Sequence, residues 1–288
     1  MRTFSFIMAL AIPAIMTAQS SAADRIVRCE SLVVLQQTAA QSKIRPFMLS
    51  LRSDSGAQLF YFGVRHSYDP ADSQFVALQN EWRKFDPTNA FYEGSATRSG
   101  ASVDEAVRGE GEPGLLRFLA AKSNVPSRSL EPSREDEVNA LLATFTPEQL
   151  VMFYSLRPVM ELRTRLSGSG AALDTAVSQS LARAHRIPRL KDALPDTAAM
   201  RIAFAKLAPG IEMTAVPESW FNPVPSPEQT GKGLFNNVNT ASSLFRDVHM
   251  YRQLAAAAAT PGARVFAEVG RDHIPAQAAA LRCAVEGH

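Results

Sequence analysis

Short apolar runs alternate with segments of helical periodicity along most of the chain. Residues 46–51 and 58–62 are apolar runs that flank the turn-forming sequence Ser-Asp-Ser-Gly at 53–56, which predicts a β-hairpin. Residues 73–85 carry apolar side chains at mostly helical spacing, and residues 90–93 form the next short apolar run. This order of strand, helix and strand predicts an α/β fold.

The same alternation continues toward the carboxyl terminus. Residues 114–122 are expected to form a helix, residues 127–130 and 264–269 strands, and residues 274–283 a closing helix. Helical patterns also fill the region between the two strands, at about residues 133–210. We therefore predict a mostly parallel central sheet flanked by helices, with this region as a helical insert.

A proline-rich segment, residues 215–232, follows the insert and has few periodic apolar positions, which predicts a loop or lid. Its aromatic residues Trp220 and Phe221 either line a substrate cleft or pack beneath the loop. The next helix is expected to begin near Thr240 or Ser242 and to run through an alanine-rich segment.

The amino-terminal segment has the pattern of a secretory signal. Arg2 supplies one positive charge, residues 4–16 are apolar, and small residues lead to Ala23, so residues 1–23 are predicted to be a signal peptide. The apolar run is short for a membrane span, although an uncleaved anchor is the alternative. We expect residues 24–288 to form a single exported domain, periplasmic or secreted.

The net charge bears on nucleic-acid binding, and the two cysteines bear on disulfide formation. The formal charge of the whole chain is +2, and removal of Arg2 with the signal leaves +1, so there is no electrostatic case for nucleic-acid binding. In an oxidising compartment Cys29 and Cys283 are expected to form a disulfide that joins the two ends of the domain. Two unpaired thiols are the alternative.

Two Gly-x-x-His motifs are the most informative feature of the chain. They occupy residues 63–66 and 270–273, and each follows an apolar run that is predicted to be a buried strand. Ligands of open α/β sheets bind outside the carboxyl ends of the strands. His66 and His273 are therefore predicted to share one site, although they come from opposite ends of the sequence.

Two carboxylates are expected at the same edge of the sheet. Glu93 and Glu131 lie at the ends of the predicted strands 90–93 and 127–130. Right-handed crossovers would bring the carboxyl ends of these strands to the edge that also carries His66. The sequence contains no G-x-S-x-G, H-E-x-x-H or phosphate-loop motif, which removes the usual support for serine hydrolase, zincin and nucleotide-enzyme functions.

Taken together, these motifs resemble the TraB and Tiki group of proteins. The segments that carry the resemblance are residues 63–70, 91–94, 130–132, 246–250 and 269–273. This group belongs to a wider superfamily with the erythromycin esterase-like and ChaN-like proteins. The resemblance spans about residues 46–282 and implies an α/β fold of the erythromycin esterase-like and ChaN-like type.

The resemblance also implies an active site. It points to His66, Glu93 and His273, with Glu131, Arg246 and Asp247 as second candidates. Tiki-like members are metal-dependent proteases, the esterase-like branch uses a histidine and carboxylates on a lactone, and ChaN-like members bind haem. The implied function is an exported, metal-dependent hydrolase of a small-molecule or peptide substrate, and the alternative is a non-catalytic haem- or metal-binding protein.

The residue types fit two mechanisms. His66, Glu93 and His273 would form a three-ligand set for Zn, Mn or Co that leaves a coordination position for water. Glu131 would then act as general base, and Arg246 would stabilise the developing oxyanion. Without metal, His66 or His273 paired with Glu93 could activate water directly.

The remaining polar residues are less informative. His249 lies on the helix face of Arg246 and either joins the site or packs within the helix. Asn236 and Asn239 either bind substrate or satisfy turns. Glu112, with the other acidic residues near it, is interpreted as exposed charge.

Overall fold

A five-stranded sheet forms the centre of the computed structural model, which describes residues 21–35, 47–94, 100–165, 169–224 and 233–287. The strands are β1 (Phe47–Arg52), β2 (Gln58–Val64), β3 (Asn89–Tyr92), β4 (Ser127–Ser129) and β5 (Arg264–Gly270). Their order is β1-β2-β5-β3-β4; β1 is antiparallel to β2, and all other neighbours are parallel. The predicted α/β class and mostly parallel sheet are confirmed.

Helices cover both faces of this sheet. They are α1 (Ala22–Cys29), α2 (Ser73–Phe85), α3 (Val103–Lys122), α4 (Arg134–Leu141), α5 (Pro147–Arg165), α6 (Ala171–Ala184), α7 (Thr197–Leu207), α8 (Leu234–Ala258) and α9 (His273–Glu286). Because side chains alternate along a strand, Val265 and Ala267 of β5 pack in one core with α8 and α9. Phe266 packs on the opposite face with α2 and α3.

The helical region between β4 and β5 has a hydrophobic core of its own. Side chains from α4 to α7 pack there against Phe235 and Val238 at the start of α8. Phe221 is buried in this core with its ring centroid 5.2 Å from that of Phe235, and Trp220 packs beside it. These aromatic residues are therefore packed beneath the loop. The last eight residues of the predicted proline-rich loop, 225–232, lie outside the described residues.

Two helices begin earlier than the sequence predicted. Helix α8 begins at Leu234 rather than near residue 240, because Asn236 and Asn239 are helical positions whose side chains bond the carbonyl groups of the preceding segment. Helix α3 begins at Val103 rather than at Gly114, with a break in its backbone at Gly111.

A disulfide joins the two ends of the described fold. Cys29 at the end of α1 is bonded to Cys283 in α9, with 5.8 Å between their Cα atoms, which confirms the predicted pairing. The hydroxyl of Tyr251 in α8 also donates to the carbonyl of Ile26, 2.7 Å away. Residues 1–20 of the predicted signal peptide lie outside the described residues, and in the described part no helix has the length and apolarity to cross a membrane.

Candidate active site

The two Gly-x-x-His motifs contact each other at the carboxyl ends of the adjacent parallel strands β2 and β5. Gly63 is in register with Val269, and Val64 with Gly270. The amide of Arg271 donates to the carbonyl of Val64 at 2.9 Å. A Cβ atom on Gly63 would lie only 2.9 Å from Cα of Arg271, so this glycine permits the close approach of the two motifs.

Gly270, the glycine of the second motif, leaves space for two side chains. A Cβ atom there would lie 3.0 Å from Oε2 of Glu93 and 3.3 Å from Nε2 of His66. The amide of Gly270 donates to Oε2 of Glu93 at 2.5 Å. Glu93 and His66 therefore approach the same backbone position, as the sequence predicted for a shared site.

Glu93 follows β3 directly and forms the centre of a buried polar cluster. Its Oε1 accepts hydrogen bonds from Nη2 of Arg246 at 2.9 Å and from Nε2 of His273 at 3.3 Å. Burial alone would raise the pKa of Glu93, but His273, Arg246 and His66 together hold that pKa well below its ordinary value. Glu93 is therefore an ionised carboxylate at neutral pH.

His273 lies at the first position of α9 between two carboxylates. Its Nδ1 is 2.8 Å from Oδ1 of Asp247, and its Nε2 faces Glu93. Burial would lower the pKa of His273, but Glu93 and Asp247 outweigh it and raise the pKa to about 10. At neutral pH the ring is thus a buried imidazolium that donates from both nitrogens.

A chain of buried hydrogen bonds fixes Asp247, the carboxylate that contacts Nδ1 of this imidazolium. Nε2 of Gln277 donates to Asp247 at 2.6 Å, and the hydroxyl of Tyr61 donates to Oε1 of Gln277 at 3.1 Å. Gln277 and Tyr61 are fully buried. No sequence motif singled out Gln277, although its place four residues after His273 on the same helix face was a usable signal.

Arg246 connects the ends of β3 and β4. Its Nε donates to Oε2 of Glu131 at 2.9 Å, and its Nη2 donates to Oε1 of Glu131 at 2.5 Å as well as to Glu93. Within the described residues its Nη1 forms no hydrogen bond. This forked contact fixes the guanidinium plane and leaves one nitrogen for a ligand.

His66 differs from His273 in its exposure, because 54% of its side chain is accessible. Its Nδ1 lies 3.6 Å from Oε2 of Glu112. The other oxygen of Glu112 accepts the amide hydrogen of Ser67 at 2.6 Å. The interpretation of Glu112 as exposed charge is wrong, because this residue is only 2% exposed and contacts the first histidine motif.

The break in α3 explains why Glu112 reaches the site. Gly111 has φ 65°, a left-handed conformation that favours glycine, and it is followed two residues later by Pro113. A Cβ atom on Gly111 would lie 2.9 Å from the carbonyl oxygen of Ser67. The sequence Gly-Glu-Pro-Gly at 111–114 was the signal for this break.

Glu268 of β5 is a buried carboxyl group beside the cluster. It is fully buried, and neither carboxyl oxygen has a hydrogen-bond partner among the described residues. Burial, followed by the charges of Glu112 and Glu93, raises its pKa well above the ordinary value and so favours the neutral form. An acidic residue within the apolar run 264–269 was the sequence signal for it.

The predicted metal ligands are engaged with each other. Glu93 and His273 form a hydrogen bond, and a protonated His273 has no lone pair to offer a cation. In the described ranges no group of three or more His, Cys, Asp or Glu side chains is arranged to hold a metal ion. Metal binding by His66, Glu93 and His273 would therefore require loss of a proton from His273, and it stays a prediction.

No family model, curated protein or solved structure matches the chain. The resemblance to the TraB and Tiki group, and the finer erythromycin esterase-like and ChaN-like fold type, stay predictions from the motifs.

The geometry separates the predicted residues by environment. His273, Asp247 and Glu93 form a buried, fully paired unit, Arg246 and Glu131 extend it toward β4, and His66 is exposed above it. His249, by contrast, bonds Gln253 one helical turn away at 2.8 Å, which favours the packed alternative. The exposed imidazole of His66 and the fixed guanidinium of Arg246 both lie near Glu93, and such a pair can activate water and stabilise a developing oxyanion.

Proposed function

We propose that this protein is a hydrolase that cleaves an ester, lactone or amide bond, with His66 as the general base. The observation that carries the proposal is the position of His66. One ring nitrogen faces the buried Glu112, the other faces Gly270 and Glu93, and the ring itself is open to solvent. A base oriented by a carboxylate is the usual arrangement for proton transfer from water.

The proposed reaction begins with orientation of His66. Glu112 accepts the hydrogen on Nδ1, and the Ser67 amide holds Glu112 in place. Nε2 then removes a proton from water, and the resulting hydroxide attacks the substrate carbonyl. His66 returns this proton to the leaving group when the tetrahedral intermediate collapses. The scheme requires the Nδ1–Oε2 distance, which is 3.6 Å, to shorten to hydrogen-bond length when substrate binds, as catalytic contacts often do.

Arg246 supplies the second catalytic contribution. Its Nη1 donates to the oxyanion of the intermediate, while Glu131 and Glu93 hold the rest of the guanidinium. His273 balances the charge of Glu93 and keeps that carboxylate on Arg246. In this scheme His273, Asp247 and Glu131 are positioning residues.

We further propose that the chain is a TraB- and Tiki-like hydrolase. The adjacent Gly-x-x-His motifs and the mostly parallel sheet support this assignment. No step above requires a divalent metal. The predicted binding of Zn, Mn or Co is tested separately, by elemental analysis of the purified protein. The haem-binding alternative is tested by titration with haem, for which a Soret shift lost in His66→Ala would be diagnostic.

Export is proposed on two features. Residues 1–23 have a signal-like pattern, and the bond between Cys29 and Cys283 is compatible with an oxidising compartment. The amino-terminal sequence of the protein recovered from outside the cytoplasm tests this directly. A new terminus near Asp24 is expected, and recovery of Met1 only in the cytoplasm would contradict it.

Hydrolysis is tested with a panel of 4-nitrophenyl esters, lactones and peptide anilides. We expect the wild type to hydrolyse members of at least one class and His66→Ala to lose that activity. His185→Gln is the matched control, since His185 bonds the carbonyl of Ala193 in the helical region. Turnover by His66→Ala at the rate of the control would refute the proposed base.

A further inference from the structure

A cavity of about 600 Å³ lies beside the candidate active site. Arg246 and Glu131 line one part of it, and residues of α5 and α6 line another. A volume of this size accommodates a small organic molecule. Because Arg246 belongs both to the site and to the cavity, a substrate bound in the cavity would contact the catalytic guanidinium.

The lining is rich in charge, with four arginines and three glutamates. Two of the arginines form close ion pairs with glutamate side chains. Arg246 bonds Glu131, and Nη1 of Arg134 donates to Oε2 of Glu137 at 2.7 Å. Oε1 of Glu137 also accepts the hydroxyl of Ser242 at 2.5 Å, so this glutamate is fully engaged.

Arg157 is less well compensated. Its Nε is 3.4 Å from Oε1 of Glu161, and its Nη1 donates to Asn239 at 3.1 Å. Burial lowers the pKa of Arg157, and the charges of Arg246 and Arg134 lower it further, against the opposing effect of Glu161. The lining therefore contains one more arginine than glutamate.

Arg183 is the fourth arginine, and no carboxylate of the described residues lies within ion-pair distance of it. Its Nη2 donates to the hydroxyl of Ser180 at 2.6 Å. Ser180 is 2% exposed, so this contact holds the guanidinium against the wall of the cavity. The lining thus presents one oriented arginine without an acidic partner.

We propose that Arg183, supported by Arg157, binds a carboxylate or similar small oxyanion of the substrate. The apolar wall formed by Pro158 and Ile187 would accommodate the hydrocarbon between this anion and the scissile bond. The inference rests on the proposed function, because it names the substrate class of that hydrolase. Preferred substrates are anionic esters, lactones or amides, and neutral analogues of the same shape bind more weakly.

A binding experiment tests the anion site without turnover. In the His66→Ala background, calorimetry compares N-phenylglutaramic acid with its neutral primary amide, which differs only in the charged group. We expect the acid to bind about 10-fold more tightly, as one charge-assisted hydrogen-bonded contact allows. Arg183→Gln should abolish the preference, and Arg186→Gln should keep it, because Arg186 is an equally exposed arginine of the same segment that does not line the cavity. Equal binding of acid and amide, or a preference that survives Arg183→Gln, would overturn the inference.

A turnover experiment separates this inference from the proposed function. The wild type is assayed with the 4-nitrophenyl monoester of glutaric acid and with 4-nitrophenyl pentanoate. Hydrolysis of both esters at equal kcat/KM, without an anion preference in calorimetry, would refute the proposed anion site but support the proposed hydrolase activity. An anion preference in calorimetry, with neither ester hydrolysed faster by the wild type than by His66→Ala, would support the anion site but refute His66 as the general base.

Discussion

His66 and His273 occupy the same position of the same motif but lie in opposite environments. The side chain of His66 is 54% exposed, whereas that of His273 is 15% exposed. His66 faces one carboxylate at 3.6 Å, and His273 is held between two at 2.8 and 3.3 Å. A repeated motif therefore places two imidazoles at one sheet edge without giving them the same chemistry.

The difference originates in the elements that cover each motif. Helix α9 begins at His273 and packs on α8, which brings Asp247 under the ring, while the residues after His66 run into an exposed loop. The buried histidine can then serve as a permanent charge, and the exposed one as a proton acceptor. The two roles are complementary, because Glu93 forms a hydrogen bond with His273 and also lies beside His66.

Replacement of His66 should have the largest effect on activity. His66→Ala is expected to lower kcat/KM by about 100- to 10,000-fold, the range for loss of a general base. Because the side chain is exposed, the melting temperature should stay close to that of the wild type. Assays of hydrolysis and thermal unfolding on one preparation measure both effects. A large fall in melting temperature would contradict the assigned environment.

Replacement of His273 should instead destabilise the fold. His273→Gln removes the imidazolium between Glu93 and Asp247 and leaves only Arg246 to balance Glu93, so we expect a loss of about 3 kcal/mol in the free energy of unfolding. Guanidinium denaturation measures this loss, and an unchanged midpoint would show that the ring is not an essential counter-charge.

The same residue predicts a pH dependence of stability. The pKa of His273 is raised to about 10, so its contribution is complete below the unfolded value of about 6.5 and is lost as the pH rises through about 10. The melting temperature of the wild type should therefore fall between pH 7 and pH 10. The curve of His273→Gln should be flatter over this interval, and parallel curves would argue against the raised pKa.

Glu112→Gln tests the orientation of His66 and should have a smaller effect. The amide retains the shape but cannot accept the Nδ1 hydrogen as an anion, so kcat should fall about 10-fold with little change in KM. The pH–rate profile should shift as well, which a purely structural role would not produce. Partial rescue by Glu112→Asp is expected, whereas an unchanged profile in both variants would exclude Glu112 as the positioning residue.

Glu268→Gln should have the smallest effect. Glu268 is buried and its pKa is raised well above the ordinary value, which favours the neutral carboxyl group that glutamine resembles. We expect unfolding free energy to change by less than about 1 kcal/mol at pH 7. A strong loss of stability would indicate that the carboxylate is ionised and paired.

Much of this arrangement could be predicted from local sequence. Apolar runs ending in Gly-x-x-His marked β2 and β5, and the placement of Glu93 after a strand predicted its position at the same edge. These features depend on strand periodicity and on the rule that parallel strands share an edge. The disulfide also followed from two cysteines placed near the ends of the domain.

Other residues could not be predicted because they depend on tertiary contacts. Glu112 reaches His66 through the left-handed backbone at Gly111, and although Gly-Glu-Pro-Gly at 111–114 indicates a break, it does not show which residue the carboxylate contacts. The protonation of His273 arises from two carboxylates brought together by different elements. For that reason the sequence alone did not indicate the raised pKa of His273.

The division of roles between the two histidines depends most directly on the protonation state of His273. Long-range proton–nitrogen spectra of protein labelled with nitrogen-15 histidine resolve the ring nitrogens, and His273→Gln assigns the signal by its loss. Both ring nitrogens of His273 are expected to carry hydrogen at pH 8, since its pKa is raised to about 10. A neutral His273 ring at pH 8 would contradict the division of roles between the two histidines.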